Sequence, residues 1–301
     1  MKKQLIVGRG ATASATALLL AESGDRVRIV SRGGGGPQHP NIEPVAADAL
    51  DTAALTELAR GAATVFNMAM PAYHTWPQTV PPLFRAIRSA AEQVGADYVM
   101  LGNLYGYGPV DGVVTEDAPL AATGPKSAVR AQMWEEAKVA HDAGRLRVTE
   151  VRAGQFLGAG AVSPFSIIVQ PRVIAGQLAV VPQELDLPHP FTAIADAAAA
   201  AVAVARDDRS WGRAWHAPIT TTTVRDVATR LAVLSDAPAP RLEVMTDREL
   251  AVLGHTDPFW GELFETYYLS HRPYVADDSA LRNTFGVAAT EVDDVLKGVI
   301  G

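Results

Sequence analysis

Leu5-Ile6-Val7-Gly8-Arg9-Gly10-Ala11-Thr12-Ala13 is the stretch that decides the fold of this 301-residue chain. A short apolar run reads as a strand, and a G-x-G-x-x-A turn leads from it into an alanine- and leucine-rich helix reaching about Ser23. In that setting Gly8 permits the tight turn, Gly10 lets backbone amides approach a pyrophosphate, and the small Ala13 lets helix and strand pack closely. Ala11 and Thr12 open the helix, whose free N–H groups and partial positive charge suit phosphate. An ordinary glycine-rich turn is the plainer alternative; the strand before it and the helix after it favour a dinucleotide.

The next strand, Val27 to Val30, bears on which dinucleotide. An enzyme selecting NAD usually ends this strand with Asp or Glu, which bonds the ribose 2′-hydroxyl. Here it ends Val30-Ser31-Arg32. Arg32 suits a 2′-phosphate, Ser31 can add a hydrogen bond, and Arg9 is a second cation nearby. NADP is therefore expected over NAD. The competing reading leaves Arg32 as a solvated surface residue.

Further strands are expected at Ile42 to Ala46, Thr64 to Asn67, Tyr98 to Leu101 and Arg147 to Val151, with helices over Asp51 to Arg60, Ala193 to Ala205, Val224 to Leu234 and Asp247 to Leu253. Such alternation implies right-handed βαβ units, hence an α/β fold with a Rossmann-type doubly wound parallel sheet. The dinucleotide domain is expected over 1–157, its sheet completed by about 191–217, where Trp215-His216 could form a late strand. Residues 158–190 and 218–301 would form a smaller, mainly helical substrate lobe. Gly33 to Gly36 reads as a flexible loop.

Composition excludes several function classes. With 26 basic and 33 acidic residues the net charge is −7, which argues against nucleic acid or an anionic membrane as partner. There is no cysteine, so disulfides, thiolate metal sites and thiol nucleophiles are excluded together. The seven histidines show no ligand spacing, and no metal is expected. The longest apolar run, Ala197 to Ala205, is far shorter than the ~20 residues that span a bilayer. Met1-Lys2-Lys3 and Ala13-Ser14-Ala15 imitate a signal peptide, but Gly8-Arg9-Gly10 interrupts the apolar segment, so a cytoplasmic protein is expected.

Several motifs, in order along nearly the whole chain, resemble the extended short-chain dehydrogenase/reductase superfamily, also called the NAD-dependent epimerase/dehydratase family. Asp48 matches the family's third-strand Asp, which touches adenine. Val65-Phe66-Asn67-Met68-Ala69 matches its fourth strand, with Met68 and Ala69 beside the cofactor. Gly102-Asn103-Leu104-Tyr105-Gly106-Tyr107-Gly108-Pro109 aligns with S-S-x-x-V-Y-G-P. Thr115 to Leu120 matches T-E-D-x-P-L, and Arg272-Pro273-Tyr274 with Asp277-Asp278-Ser279 resembles R-P-x-x-x-D-x-S.

The catalytic positions depart from the pattern. The family's Ser or Thr falls on Asn103, and its P-Y-x-x-x-K becomes Pro125-Lys126-Ser127-Ala128-Val129-Arg130. The resemblance thus implies Lys126 in place of the Tyr acid and Arg130 on the nicotinamide ribose. Beside Arg130 and partly desolvated, a lysine would shift towards a usable acid. Asn103 can hydrogen-bond a carbonyl, and Tyr107 or Tyr105 could supply the proton instead. Lys126 and Arg130 could equally be a solvated basic turn. Tyr73, His74 and Trp76, in the loop after the fourth strand, either wall a substrate site or pack against the lobe.

The expected activity is hydride transfer between NADP(H) and a small carbonyl or alcohol, by an atypical member of the family. The alternatives are a dinucleotide sensor without turnover and a sugar-nucleotide epimerase or dehydratase. A small-molecule substrate is the expected partner. A homodimer through the helices Leu83 to Gln93 and Lys126 to Ala143 is implied by the resemblance, with Ala90-Ala91 and Met133-Trp134 as the seam.

Overall fold

A computed structural model describes residues 1–300. Successive side chains of a strand point to opposite faces, and that alternation builds two cores on one sheet. The sheet strands are β1 (Lys3–Val7), β2 (Arg26–Ser31), β3 (Ile42–Ala46), β4 (Thr64–Asn67) and β5 (Asp97–Asn103). After the two-residue β6 (Val113–Val114) come β7 (Val148–Ala153), β8 (Gln155–Leu157), β9 (Leu178–Val181), β10 (His189–Ala193), β11 (Ala214–His216), β12 (Thr220–Thr222), β13 (Arg241–Val244) and β14 (Val275–Ala276). Seven of them pair in the order β11-β7-β5-β4-β1-β2-β3, every pair parallel. Trp215-His216 does return to this sheet.

Helices α1 (Ala11–Glu22), α2 (Thr52–Ala59), α3 (Trp76–Val94) and α4 (Pro125–Asp142) follow β1, β3, β4 and β6 in the chain. Then come α5 (Gln170–Ile174), α6 (Ile194–Val204), α7 (Val224–Leu234) and α8 (Asp247–Gly254). Leu5, Val65 and Tyr98 of the sheet pack with Leu55, Ile87 and Met133 of α2, α3 and α4 on one face. Ile6, Phe66 and Val99 pack with Ala17, Leu20 and Ala200 of α1 and α6 on the other. The chain order reverses between β1 and β4, and ligands of open α/β sheets bind outside the carboxyl ends of strands at that point.

A third core, with Leu157, Phe165, Val181, Phe191, Leu231 and Leu296, belongs to the later residues. Besides helices these residues carry a three-stranded sheet, β12-β10-β8, and the pair β13-β9. Strands this short leave little periodicity to read. The expected dimer seam needs correction. Ala90, Ala91 and Met133 are buried inside the first core, facing the sheet, so they are not available to a partner. No helix among the described residues is long and apolar enough to cross a membrane.

Candidate active site

The ends of β1, β4 and β5 meet the later residues around a cleft of about 1070 Å³. Gly8 sits at its base with φ +119°, a conformation that strains any other residue. A Cβ there would lie 2.6 Å from the Met68 carbonyl oxygen. The glycine therefore also lets β1 and β4 approach at the switch point. Gly10 begins α1 with no side-chain cap and open space around it, and the first turn carries no acid. The amides of that turn are left for a ligand. Ala13 is buried against the sheet, while Arg9, Ala11 and Thr12 line the cleft beside it.

Ser31, Arg32 and Asp48 line the same end. Arg32 is exposed and makes no side-chain hydrogen bond or ion pair among the described residues. The loop behind it is more ordered than its composition suggests. Ser31 Oγ donates to the Gly34 carbonyl at 3.0 Å, and Arg9 reaches the same oxygen at 3.4 Å. Asp48 accepts the Leu50 N–H at 3.0 Å.

Arg130, on α4, is 3% exposed and also lines the cleft. One guanidinium nitrogen donates to the Leu101 carbonyl at 2.7 Å and lies 3.5 Å from Glu150, but Nε and Nη1 have no partner. Burial holds its pKa below the ordinary arginine value, against the pull of Glu150. Unpaired buried donors are costly, and two of them on a residue that lines the same cleft as an open helix N-terminus fit the hydroxyls of a dinucleotide. Glu150 is held in turn by Arg152 at 2.7 Å. A side chain at Gly102 would collide with Glu150, so the glycine in the fifth-strand motif makes room for this network.

Two of the three expected catalytic residues lie elsewhere. Lys126 is 1% exposed and does not line the cleft. Its ammonium pairs with Glu262 and, at 3.0 Å, with Glu265, and stands 4.9 Å from the centre of the Tyr73 ring. Glu265 also accepts the Lys126 and Ser127 amides, at 2.5 and 3.3 Å, and so caps α4. The expected pairing of two cations gives way to a cation between two carboxylates. Tyr107 is fully buried away from the cleft. It accepts from Arg152 at 2.6 Å and lies 2.8 Å from His216 Nε2. Burial pushes its hydroxyl up to about 12 and His216 down to about 4.

Asn103, the third, does line the cleft, with Tyr105 and Tyr73. Its Oδ1 accepts the Tyr105 N–H at 3.2 Å and fixes the turn that presents Tyr105. Tyr73 donates to the Tyr105 hydroxyl at 3.3 Å. Burial raises Tyr105 above an ordinary phenol, and the Tyr73 donor works against that rise. Trp76 lines the same wall, its indole N–H satisfied by the Pro71 carbonyl at 3.1 Å. Met68 and Ala69 line the floor. His74, by contrast, is exposed and outside the cleft.

Sequence reasoning passed over Gln155, Gln183 and His189, all of which line the cleft. The Nε2 of each glutamine is buried without a partner among the described residues, and neither ring nitrogen of His189 makes a well-aligned hydrogen bond, the Glu184 and Leu269 backbone standing beside the ring. A single histidine between Pro188 and Pro190 carries no motif spacing, so nothing in the sequence marks it. Glu262 and Glu265 stand three apart on a helical stretch, a weak hint of a shared face.

No family model matches the sequence, and no curated protein is similar to it by sequence. Solved structures do match the fold. An epimerase from Methanothermobacter thermautotrophicus superposes with a TM-score of 0.80 at 16% identity, covering 98% of this chain and 90% of its own. UDP-glucose 4-epimerase from Thermotoga maritima, solved with UDP-glucose, gives 0.80 at 14% identity over 99% and 97%. The dTDP-glucose 4,6-dehydratase of Bacillus anthracis, in complex with NAD, gives 0.80 at 14% over 100% and 96%. The chain thus shares the fold of these epimerases and this dehydratase over nearly its full length.

Proposed function

We propose that this chain is an atypical oxidoreductase of the extended short-chain dehydrogenase/reductase type, moving hydride between NADP(H) and a small carbonyl or alcohol. One observation carries the reading: the Gly8-x-Gly10 turn, the uncapped α1 N-terminus and the unpaired donors of Arg130 line a single cleft. The amides from Gly10 to Ala13 would hold the pyrophosphate. Arg130 Nε and Nη1 would donate to ribose hydroxyls, and Arg32 would take a 2′-phosphate, while Ser31 Oγ keeps its proton on the Gly34 carbonyl and holds the loop behind it. The dehydratase neighbour was solved with NAD; the preference for NADP rests on this chain's own Arg32 and the missing acid at the end of β2.

The bound dinucleotide would supply the hydride to the carbonyl carbon. The carbonyl π electrons then move to oxygen, which takes a proton from the Tyr105 hydroxyl. Tyr73 donates to the oxygen left on Tyr105 and stabilises its charge until solvent returns the proton. Asn103 holds the turn that aims Tyr105. Lys126 is assigned to structure, since both carboxylates at its ammonium come from outside the cleft wall.

Burial keeps the proton on Tyr105, as a proton donor needs. The descriptions of the structural neighbours favour a second reading, an epimerase or dehydratase whose cycle opens on alcohol oxidation. Titration with NADPH and NADH, followed by protein fluorescence, tests the cofactor assignment. Tighter NADPH binding that falls to the NADH level in Arg32→Ala is expected. Binding of neither dinucleotide refutes the reading, and equal or tighter NADH binding removes the Arg32 argument.

A further inference from the structure

The charged side chains that line the cleft are few. Arg9, Arg32 and Asp48 lie at the β2–β3 end, and Arg130 lies under the end of β5. The half built by residues 155–190 and 259–270 has neither a carboxylate nor a lysine or arginine on its lining. Arg272 follows the lining pair Leu269-Ser270 closely, yet it is exposed and outside the cleft. The turn at Ser163 also lines this half, but its amides are closed internally. Ser163 N–H donates to Ser166 Oγ at 2.9 Å, and Ser166 N–H to Ser163 Oγ at 3.2 Å.

What this half does offer is uncharged. His189 is 1% exposed and Gln183 2%, and each has buried polar atoms without a partner. Gln155 adds a second unpaired amide nitrogen. These groups come from β10, from the segment after β9, and from β8, so tertiary structure alone brings them to one wall. Burial lowers the His189 pKa against the opposing pull of the Glu184 and Leu269 backbone, which leaves a ring with one donor and one acceptor. Around them stand Phe259, Leu263 and Leu269, with Phe259 5.4 Å from the Tyr73 ring. A nucleotide diphosphate buried here would meet no cation, a costly arrangement in a low-dielectric site. An uncharged carbonyl or hydroxyl would satisfy the orphaned atoms instead.

Resting on the oxidoreductase reading above, we propose that the substrate is a neutral, largely apolar carbonyl compound bearing a second uncharged hydrogen-bonding group. His189, Gln183 and Gln155 hold that second group, and the site rejects nucleotide sugars. The specificity follows from neutral groups that must be paired and from the lack of any charge to meet a diphosphate.

Calorimetric titration of the full chain, with and without NADP⁺, compares two probes: ethyl benzoylacetate, a neutral aromatic keto ester, and UDP-glucose. The expected result is saturable binding of the keto ester and none of UDP-glucose at millimolar concentration. His189→Phe and Gln183→Met should each weaken the keto ester by about three- to tenfold, with NADPH affinity unchanged as the check that the variants fold. UDP-glucose binding as tightly as the keto ester overturns the proposal. So does failure of the keto ester to bind, or undiminished binding by both variants. If neither NADPH nor NADH binds, the oxidoreductase reading falls separately; the comparison of probes in the cofactor-free protein still decides this one.

Discussion

Replacing Lys126 by methionine separates two roles for the residue at the family's tyrosine position. The substitution keeps the aliphatic stem and removes an ammonium that is 1% exposed and paired with Glu262 and Glu265. Breaking one side of a buried ion pair costs about 3–5 kcal/mol. The low end applies here, because the Glu262 side chain is 35% exposed and can turn to water. Glu265 also keeps the Lys126 and Ser127 amides as donors. A loss of about 3 kcal/mol, at roughly 2–3 °C per kcal/mol in a domain of this size, lowers Tm by about 6–9 °C. Phe259, Leu263 and Thr266 belong to the segment that this pairing fastens, and they line the cleft. KM should therefore rise several-fold while kcat falls by less than about tenfold, against the 10²–10⁴ expected for loss of a proton donor. Lys126→Arg is the decisive companion, since arginine keeps the charge but cannot release a proton. Thermal unfolding and NADPH consumption should both return close to wild type in that variant. A Lys126→Arg protein as stable as wild type but without turnover would refute the structural role.

Three further outcomes follow from the geometry. Tyr105→Phe should reduce carbonyl turnover by about 10²–10⁴ with NADPH binding retained, in steady-state assays; unchanged kcat would remove Tyr105 from the proton transfer. Gly8→Ala should cost about 1–3 kcal/mol from backbone strain alone, and the displaced Met68 carbonyl should abolish dinucleotide binding measured by fluorescence. Stability should also fall on acidification. His216 is lowered from 6.5 to about 4 in the folded chain, so its contribution is full above about pH 6.5 and is lost as pH falls towards 4. The unfolded chain takes up the proton first, and the loss is on the order of 3 kcal/mol. Urea unfolding across that range should show it, and His216→Gln should flatten the slope.

Much of the architecture was legible in residues 1–151 because each element there carries a strong local signal. β1 to β5 and the G-x-G-x-x-A turn follow from runs of apolar residues and two glycines, and the structure places them in the expected doubly wound order. The short strands of the later residues, such as β8 and β12 at three residues each, lack the length for periodicity to show. Three of the four residues expected at a dimer seam were misplaced for a related reason: Ala90, Ala91 and Met133 are small or apolar residues that the chain's own core had already taken, while Trp134 is half-buried.

The Gly8 end of the cleft depends on backbone conformation at a few adjacent positions, and adjacency is what a sequence records. The turn at Gly8 and Gly10 and the helix that Ala13 packs could therefore be placed before any coordinates. The opposite half of the cleft and its surroundings depend on which distant segments meet. Lys126 meets Glu262 and Glu265, Tyr107 meets Arg152 and His216, and Gln155, Gln183 and His189 meet across one wall. The sequence alone determined that Lys126 and Arg130 sit four residues apart on one helix. Only the tertiary structure decided that one lines the cleft with unpaired donors while the other is enclosed by carboxylates, because their partners lie more than a hundred residues away for Lys126 and on a neighbouring strand for Arg130.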